Sequence, residues 1–246
     1  MSKHLQTKIV FITGTQGRVG RAITPYLSRI FQVIEFDKKI ATSESKNKIK
    51  GDVGDWNTVL VAVQKSRPDC IVHLAANAYP DSSAEEIFVS NYIGTKNIYE
   101  AAVKFRVPKI IFASSLHTLS GYSGFPYKSP FSDGRQITVK DTPNPGNLYG
   151  ASKVWGEQLA KEYYIEHGVC TICLRIGALE NDNKPSENFE YVSIWLSHAD
   201  ATQIFEKAIL AESAEPVAIY FAISGNKSPY DIQPTIDELA YVPSIK

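Results

Sequence analysis

The sequence predicts an α/β fold, in which a doubly wound parallel sheet is covered by helices on both faces. Short apolar runs recur along the chain with helical segments between them, and this alternation is typical of parallel sheets. The apolar runs also lack the polar–apolar alternation of half-exposed strands, as expected for strands that are buried on both faces. These two observations indicate a Rossmann-like arrangement with a small C-terminal portion.

The first predicted strand covers Ile9–Thr13, and a helix follows over Arg18–Ile30, where apolar residues stand at helical intervals. The other strands are predicted at Gln32–Phe36, weakly near Asn47–Lys50, and at Cys70–Leu74, Lys109–Ser114, Val169–Ile176 and Pro216–Ile223. The other helices are predicted over Asp55–Lys65, Ala84–Phe105 and Asn147–His167, and from Ala199 to about Glu212. Lid loops, binding loops or disordered segments are predicted over Thr118–Pro145 and Gly177–Glu190, before a C-terminal tail with three prolines.

Composition and charge argue against several classes of function. Lys and Arg together number 26, as do Asp and Glu, so the net charge is zero, and no basic tract indicates nucleic-acid binding. No stretch approaches the roughly 20 apolar residues of a membrane helix, and the polar N-terminus does not resemble a signal peptide. Three cysteines provide no disulfide framework, so we expect a cytoplasmic protein. Cys170 and Cys173 point to opposite faces of a predicted strand, which favours core cysteines over a metal site.

Three glycines directly follow the first predicted strand. Gly14, Gly17 and Gly20 form a G-x-x-G-x-x-G turn that opens the next helix. Such a turn is typical of a phosphate site, because backbone N–H groups and the helix N-terminus face the anion, and side chains would block its approach. The turn, with Arg18 and Val19, is therefore predicted to bind the pyrophosphate of a dinucleotide.

Asp37 ends the second predicted strand, 23 residues after Gly14. A carboxylate at this place accepts hydrogen bonds from the adenosine ribose hydroxyls and repels a 2′-phosphate. We therefore predict NAD rather than NADP as the cofactor. Lys38 and Lys39 follow directly and weaken this preference, and a turn residue without a ligand is the simpler alternative for Asp37.

Tyr149 and Lys153 form a Y-x-x-x-K pair on a predicted helix. Residues four apart share a helix face, and an ammonium group beside a phenol lowers the phenol pKa from its usual value near 10. Tyr149 is therefore predicted to act as a general acid or base near neutral pH. The pair alone is common by chance, and it gains weight from the glycine turn and Asp37 at the right separations.

Together these motifs resemble the extended short-chain dehydrogenase/reductase family, also called the NAD-dependent epimerase/dehydratase family. Gly51–Val53 resembles the segment beside the adenine, and His73–Ala76 resembles the H-x-A-A segment, although we interpret His73 itself as a core residue. The resemblance implies hydride transfer to NAD⁺ with Ser115 as the catalytic serine. Asn91 is either a family residue of the cofactor site or a residue at a helix bend. The cofactor-binding residues implied by the resemblance are Gly14, Gly17, Arg18, Val19, Gly20, Asp37, Asp52, Val53, Leu74, Ala75, Ala76, Asn91, Tyr149 and Lys153.

Around the predicted active site the sequence is similar to uronate dehydrogenases, short family members that oxidise the anomeric carbon of free hexuronic acids to a lactone. The similar segments are Phe112–Thr118, Leu174–Gly177 and Trp195–Asp200. The resemblance implies that Ser115 contacts the substrate, and that His117 either contacts a sugar hydroxyl or only lines the pocket. The carboxylate-binding Arg of these enzymes corresponds to Glu190 when counted back from Trp195, and a carboxylate there would repel a uronate.

The sequence therefore predicts an NAD-dependent oxidoreductase that acts on a sugar-type hydroxyl of a free sugar, a sugar acid or a similar small compound. Two alternatives are a nucleotide-sugar epimerase with tightly bound NAD and an NAD-binding regulator without turnover. We expect one domain over residues 1–246, with 1–176 mainly as the NAD-binding core and 177–246 as a small substrate-binding portion. The resemblance also allows a homodimer through apolar positions of two helices, namely Ile98, Val103, Val154, Trp155 and Leu159.

Overall fold

Seven parallel strands form one sheet in the computed structural model, which describes residues 8–41, 45–78, 82–185, 192–212, 215–225 and 228–245. The strands are β1 (Ile9–Thr13), β2 (Gln32–Asp37), β3 (Lys48–Lys50), β4 (Cys70–His73), β5 (Lys109–Ser115), β6 (Cys170–Ile176) and β7 (Val217–Ala222). All neighbouring pairs are parallel. The predicted α/β fold is therefore confirmed, including the weakly predicted third strand.

The strands lie across the sheet in the order β3-β2-β1-β4-β5-β6-β7. The chain thus builds outward on one side of β1 and then returns to the other side with β4. Such a reversal leaves a crevice at the carboxyl ends of the two central strands, where doubly wound sheets bind their ligands. Thr13 pairs with His73, so the last residues of β1 and β4 stand side by side at this crevice.

Helices cover both faces of the sheet. They are α1 (Arg18–Leu27), α2 (Trp56–Ser66), α3 (Ala84–Ile87), α4 (Gly94–Phe105), α5 (Leu148–His167), α6 (His198–Leu210) and α7 (Gln233–Leu239). On one face α1, α6 and α7 bury side chains such as Ile23, Phe205 and Leu239. On the other face α2, α4 and α5 bury side chains such as Val59, Ile98 and Ala160. No helix in the described ranges is both long enough and apolar enough to span a membrane.

Two predicted helices differ in detail from the structure. The helix predicted over Arg18–Ile30 ends at Leu27, because the N–H groups of Ile30 and Phe31 both bond to the Leu27 carbonyl in a tight turn that leads into β2. The helix predicted over Ala84–Phe105 is a helical run of three parts, in which a π-helical turn (Phe88–Ile93) separates α3 from α4.

The C-terminal residues, predicted as a tail with three prolines, contain regular secondary structure. They include α7, which the sequence analysis missed, although Pro234 in its first turn is typical of a helix start. β7 also belongs to this portion and pairs with β6, so residues 177–246 complete the sheet as well as covering one end of it. An apolar cluster that includes Leu119, Ile137 and Tyr230 joins this portion to the long loop after β5.

Candidate active site

A cleft at the carboxyl ends of the central strands collects most of the residues that the sequence singles out. One end of it is lined by Gly14, Gly17, Asp37, Asp52, Val53, Leu74, Ala75 and Ala76. The other end is lined by Arg18, Val19, Gly20, Ser115, His117, Tyr149 and Lys153. Two predicted site residues are not among these linings. Asn91 lies behind the cleft wall, and Glu190 lies outside the described residues.

The turn between β1 and α1 presents backbone donors to this cleft. Gly14 has a φ of +74°, a backbone conformation that residues with a side chain rarely adopt. A Cβ at this position would lie 2.6 Å from the Ala75 nitrogen. Gly17 is the N-cap of α1, and within the described ranges no side chain caps this helix. The N–H groups of the first helical turn are therefore available to an anion. The turn fits the pyrophosphate of a dinucleotide.

Two carboxylates lie at the first end of the cleft. Asp37 is 8% exposed, and its Oδ2 accepts a hydrogen bond from the Gln16 N–H at 2.9 Å, while its Oδ1 accepts one from the Lys39 N–H at 2.8 Å. The Oδ1 of Asp52 accepts a hydrogen bond from the Gly54 N–H at 2.9 Å. Each carboxylate keeps further acceptor capacity, so the pair fits the hydroxyl and amino groups of an adenosine.

A buried network supports the middle of the cleft. His73 is 1% exposed, and its ring nitrogens contact the hydroxyls of Thr13 at 2.8 Å and Thr95 at 3.1 Å. The Thr13 hydroxyl also accepts a hydrogen bond from the Ala75 N–H. Burial and the positive charge of Lys153 lower the pKa of His73 to about 3, so the ring is neutral. His73 is therefore a core histidine, as predicted.

Asn91 supports the cleft from behind. It lies in the π-helical turn and is 2% exposed. Its Oδ1 accepts a hydrogen bond from the Asn77 N–H at 2.8 Å, and its Nδ2 donates to the Asn77 carbonyl at 3.0 Å and to the Ser152 hydroxyl at 2.9 Å. These bonds tie the loop after β4 to α5, which carries Tyr149. The position agrees with the reading of Asn91 as a residue at a helix bend.

Tyr149 and Lys153 share one face of α5. Lys153 is 4% exposed, and its Nζ lies 5.6 Å from the centre of the Tyr149 ring. Burial lowers the pKa of Lys153 to about 7. Burial also raises the pKa of Tyr149, whereas a hydrogen bond with Ser115 and the charge of Arg18 act in the opposite direction. The predicted lowering of the Tyr149 pKa is therefore wrong, because desolvation of the phenol outweighs the hydrogen bond with Ser115 and the charge of Arg18.

A buried ion pair distinguishes the two serines at the end of β5. The Ser114 hydroxyl donates to Glu157 Oε1 at 2.6 Å, and the same carboxylate accepts two hydrogen bonds from Arg175 at 2.9 and 2.8 Å. Glu157 and Arg175 are at most 1% exposed, so this pair is a buried part of the structure. The Ser115 hydroxyl accepts a bond from the His117 N–H at 3.2 Å and interacts with Tyr149. Ser115 is thus the serine beside the phenol.

The cleft also contains contacts that sequence reasoning missed. Glu180, in the loop after β6, pairs with Arg18 at 3.9 Å and so joins this loop to the glycine turn. Asn147 caps α5 and contacts His117, whose ring also lies against Tyr149 with 5.5 Å between ring centres. The helix is predicted to begin at Asn147, and an Asn at the start of a helix is a typical N-cap, so the position of Asn147 carried a usable signal. The sequence carried no such signal for Glu180, because its partner Arg18 is remote in the chain.

Comparison with known proteins agrees with this geometry. The model of the NAD dependent epimerase/dehydratase family matches residues 10–203. An L-arabinose 1-dehydrogenase (NAD(P)(+)) from Haloferax volcanii is 30% identical over 246 residues, which cover 95% of this chain and 95% of the relative. A uronate dehydrogenase from Agrobacterium fabrum is 31% identical over 208 residues, which cover 83% of this chain and 72% of the relative.

Solved structures of this family also resemble this chain. A mutant uronate dehydrogenase from Agrobacterium tumefaciens, crystallised as a complex with NAD, matches with a TM-score of 0.82 at 28% identity. The match covers 96% of this chain and 84% of that chain. The homologues are NAD(P)-dependent dehydrogenases of sugars or sugar acids. The chain therefore belongs to the NAD-dependent epimerase/dehydratase family of enzymes.

Proposed function

We propose that this protein is an NAD-dependent dehydrogenase that oxidises a hydroxyl of a free sugar, a sugar acid or a similar small compound. One observation carries the proposal: Ser115, His117, Tyr149 and Lys153 lie together at one end of the cleft, beside the anion-binding turn that opens α1. The relatives support a sugar-type substrate, since they include an L-arabinose dehydrogenase and a uronate dehydrogenase.

Each of these residues has a distinct task in the proposed reaction. The Ser115 hydroxyl hydrogen-bonds the sugar oxygen, and the Tyr149 phenolate takes the hydroxyl proton as general base. The Lys153 ammonium stabilises the negative charge of the phenolate. NAD⁺, when bound, supplies the acceptor for the hydride that leaves the sugar carbon. Loss of one proton and one hydride leaves a carbonyl, which is a lactone when the anomeric carbon is oxidised.

NAD rather than NADP is the proposed cofactor. The Asp37 carboxylate is held by two backbone N–H groups at the end of the cleft where an adenosine ribose would lie. A negative charge there accepts bonds from ribose hydroxyls and repels a 2′-phosphate. Lys38 and Lys39 line the same end and oppose this preference, so we expect NADP to bind more weakly without being rejected.

The test is a screen for NADH formation with NAD⁺ and free aldoses, uronates and nucleotide sugars. We expect net NADH formation with at least one free sugar or sugar acid. Tyr149→Phe should lower the rate at least about 100-fold, because it removes the general base. Tyr164→Phe, at an exposed tyrosine of the same helix, is the matched control and should retain the wild-type rate. Isomerisation of a nucleotide sugar without net NADH formation would instead favour the epimerase.

We rank neutral aldoses before uronates in this screen. The reason is the sequence expectation that Glu190 replaces the carboxylate-binding Arg of uronate dehydrogenases, and like charges repel. Under that expectation Glu190→Arg raises the turnover of a uronate relative to a neutral aldose. An unchanged ratio would show that Glu190 does not correspond to the Arg.

We also propose that two copies pair through an aromatic surface on α5 and the π-helical turn. Phe88 is 55% exposed and stacks on Tyr92, which contacts Trp155 with 5.1 Å between ring centres. Of the positions expected at this interface, Ile98, Val103 and Leu159 pack into the core on this face of the sheet instead. Sedimentation should show a dimer that Phe88→Glu dissociates, and a wild-type monomer at micromolar concentration would contradict the proposal.

A further inference from the structure

The side-chain amide of Asn147 contacts the His117 ring inside the cleft. Asn147 Nδ2 lies 3.1 Å from His117 Nδ1, and the two residues are 30 positions apart in the chain. Asn147 is also the N-cap of α5, where its Oδ1 accepts a hydrogen bond from the Gly150 N–H at 2.8 Å. One amide group therefore serves both a helix end and a histidine.

Two independent contacts fix the orientation of this amide. The Gly150 N–H can only donate, so the oxygen of Asn147 must face it, since a flipped amide would bring two donors together. The Ser120 hydroxyl donates to the His117 carbonyl at 2.9 Å, so it can only accept from Asn147 Nδ2, which lies 3.4 Å away. Both contacts require that the NH₂ group of Asn147 points toward His117 and Ser120.

The orientation of the amide determines the protonation of His117. Because Nδ2 donates, the Nδ1 of His117 must accept and carries no proton. The proton of the neutral ring is then on Nε2, and an imidazolium would place two donors face to face. Burial also lowers the pKa of His117, which favours the neutral ring. The ring is held between Phe125 and Tyr149, with 5.3 and 5.5 Å between ring centres.

We propose that Asn147 is a positioning residue that keeps His117 neutral with its proton on Nε2, so that His117 serves the substrate site as a hydrogen-bond donor and not as a proton acceptor. The identity of the bound group, an oxygen of a sugar or sugar acid, rests on the proposed function. The assignment leaves Tyr149 as the general base, because neither ring nitrogen of His117 is free to take a proton. It also means that a neutral donor holds the substrate oxygen at this position.

The first test reads the His117 ring directly by ¹⁵N–¹H correlation of the imidazole groups. The chain has five histidines, and the His117 signals are assigned by their loss in His117→Gln. In the wild type we expect an unprotonated Nδ1 and a protonated Nε2 near neutral pH. Asn147→Asp keeps an N-cap of equal quality but replaces the donor by acceptors, so the proton should move to Nδ1. Asn147→Ser also keeps a cap and removes only the amide, so both tautomers should be populated.

The second test measures the KM for the best sugar in the same proteins. In Asn147→Asp the neutral ring presents an acceptor at Nε2, and only the imidazolium presents a donor. KM should therefore rise with pH relative to the wild type, by about tenfold between about pH 6 and about pH 8.5. The other titratable or charged groups that line this end of the cleft are Arg18, Arg21, Lys39, Tyr149, Lys153 and Glu180. They are common to both proteins, so the difference between the profiles reports Asn147.

These outcomes separate the inference from the proposed function. The NMR measurement needs no substrate, so it tests the tautomer even if no sugar is oxidised. A wild-type His117 with a protonated Nδ1, or the same tautomer in wild type and Asn147→Asp, would overturn the inference. If the ratio of the KM of Asn147→Asp to the KM of the wild type does not change with pH, the role of His117 as a hydrogen-bond donor is overturned. If Asn147→Asp does not fold, the tautomer mixture expected in Asn147→Ser decides the question.

Discussion

Lys153 should make the stability of this protein depend on pH in the alkaline range. Lys153 is 4% exposed, and burial lowers the pKa of its ammonium group from the ordinary 10.5 to about 7. Above about pH 7 the folded protein has released this proton, whereas the unfolded chain keeps it until about pH 10.5. The unfolded state thus binds one more proton, and the free energy of unfolding rises by about 1.4 kcal/mol per pH unit in this window. Below it, the buried charge lowers stability by up to about 5 kcal/mol.

The substitution Lys153→Met isolates this contribution, because it keeps the length of the side chain and removes the charge. We expect Lys153→Met to be more stable than the wild type at about pH 7, and this advantage to shrink by about 2 kcal/mol up to about pH 9. Urea unfolding at several pH values measures both curves. Lys161→Met, at an exposed lysine of α5, is the control and should follow the wild type. Parallel curves for wild type and Lys153→Met would refute the lowered pKa.

Three further substitutions test other parts of the site. Asp37→Asn removes a negative charge while keeping the shape, so the affinity for NADP relative to NAD should rise at least about tenfold, as measured by calorimetry; an unchanged ratio would contradict the assigned role. Gly20→Ala places a Cβ against the backbone of Gly14, so it should weaken NAD binding and lower the melting temperature, although Ala normally stabilises a helix relative to Gly. Glu157→Ala leaves the Arg175 guanidinium buried without its partner and should lower the free energy of unfolding by about 3–5 kcal/mol, while Glu157→Leu with Arg175→Met should recover most of it; equal losses would contradict this reading.

The cofactor half of the cleft could be predicted from the sequence because its signals are local. Gly14 and its neighbours form a short motif that brings backbone groups to the cleft, and Asp37 follows at the end of the next strand. The family resemblance likewise led to Ser115. The structure gives a physical reason for that choice, since the Ser114 hydroxyl is already hydrogen-bonded to Glu157, 43 positions away in the chain.

The substrate half was less accessible from sequence because its chemistry depends on tertiary contacts. The protonation of His117 is set by an amide 30 positions away, and Glu180 meets Arg18 only after the whole sheet is built. The direction of the Tyr149 pKa shift was also missed. The Y-x-x-x-K spacing indicates that an ammonium stands near the phenol, but not that both groups are desolvated.

Desolvation of both groups has a consequence for the reaction itself. Burial raises the pKa of Tyr149 and lowers that of Lys153 to about 7, so both shifts favour the neutral forms. A neutral phenol with a neutral amine holds as many protons as a phenolate with an ammonium, and the two forms differ only in the position of one proton. The phenolate needed for oxidation is therefore reached once the pair has lost a single proton, near the pKa of the lysine. The apparent pKa of oxidation consequently belongs to the pair, and removal of the Lys153 amine moves it to the raised pKa of the phenol alone.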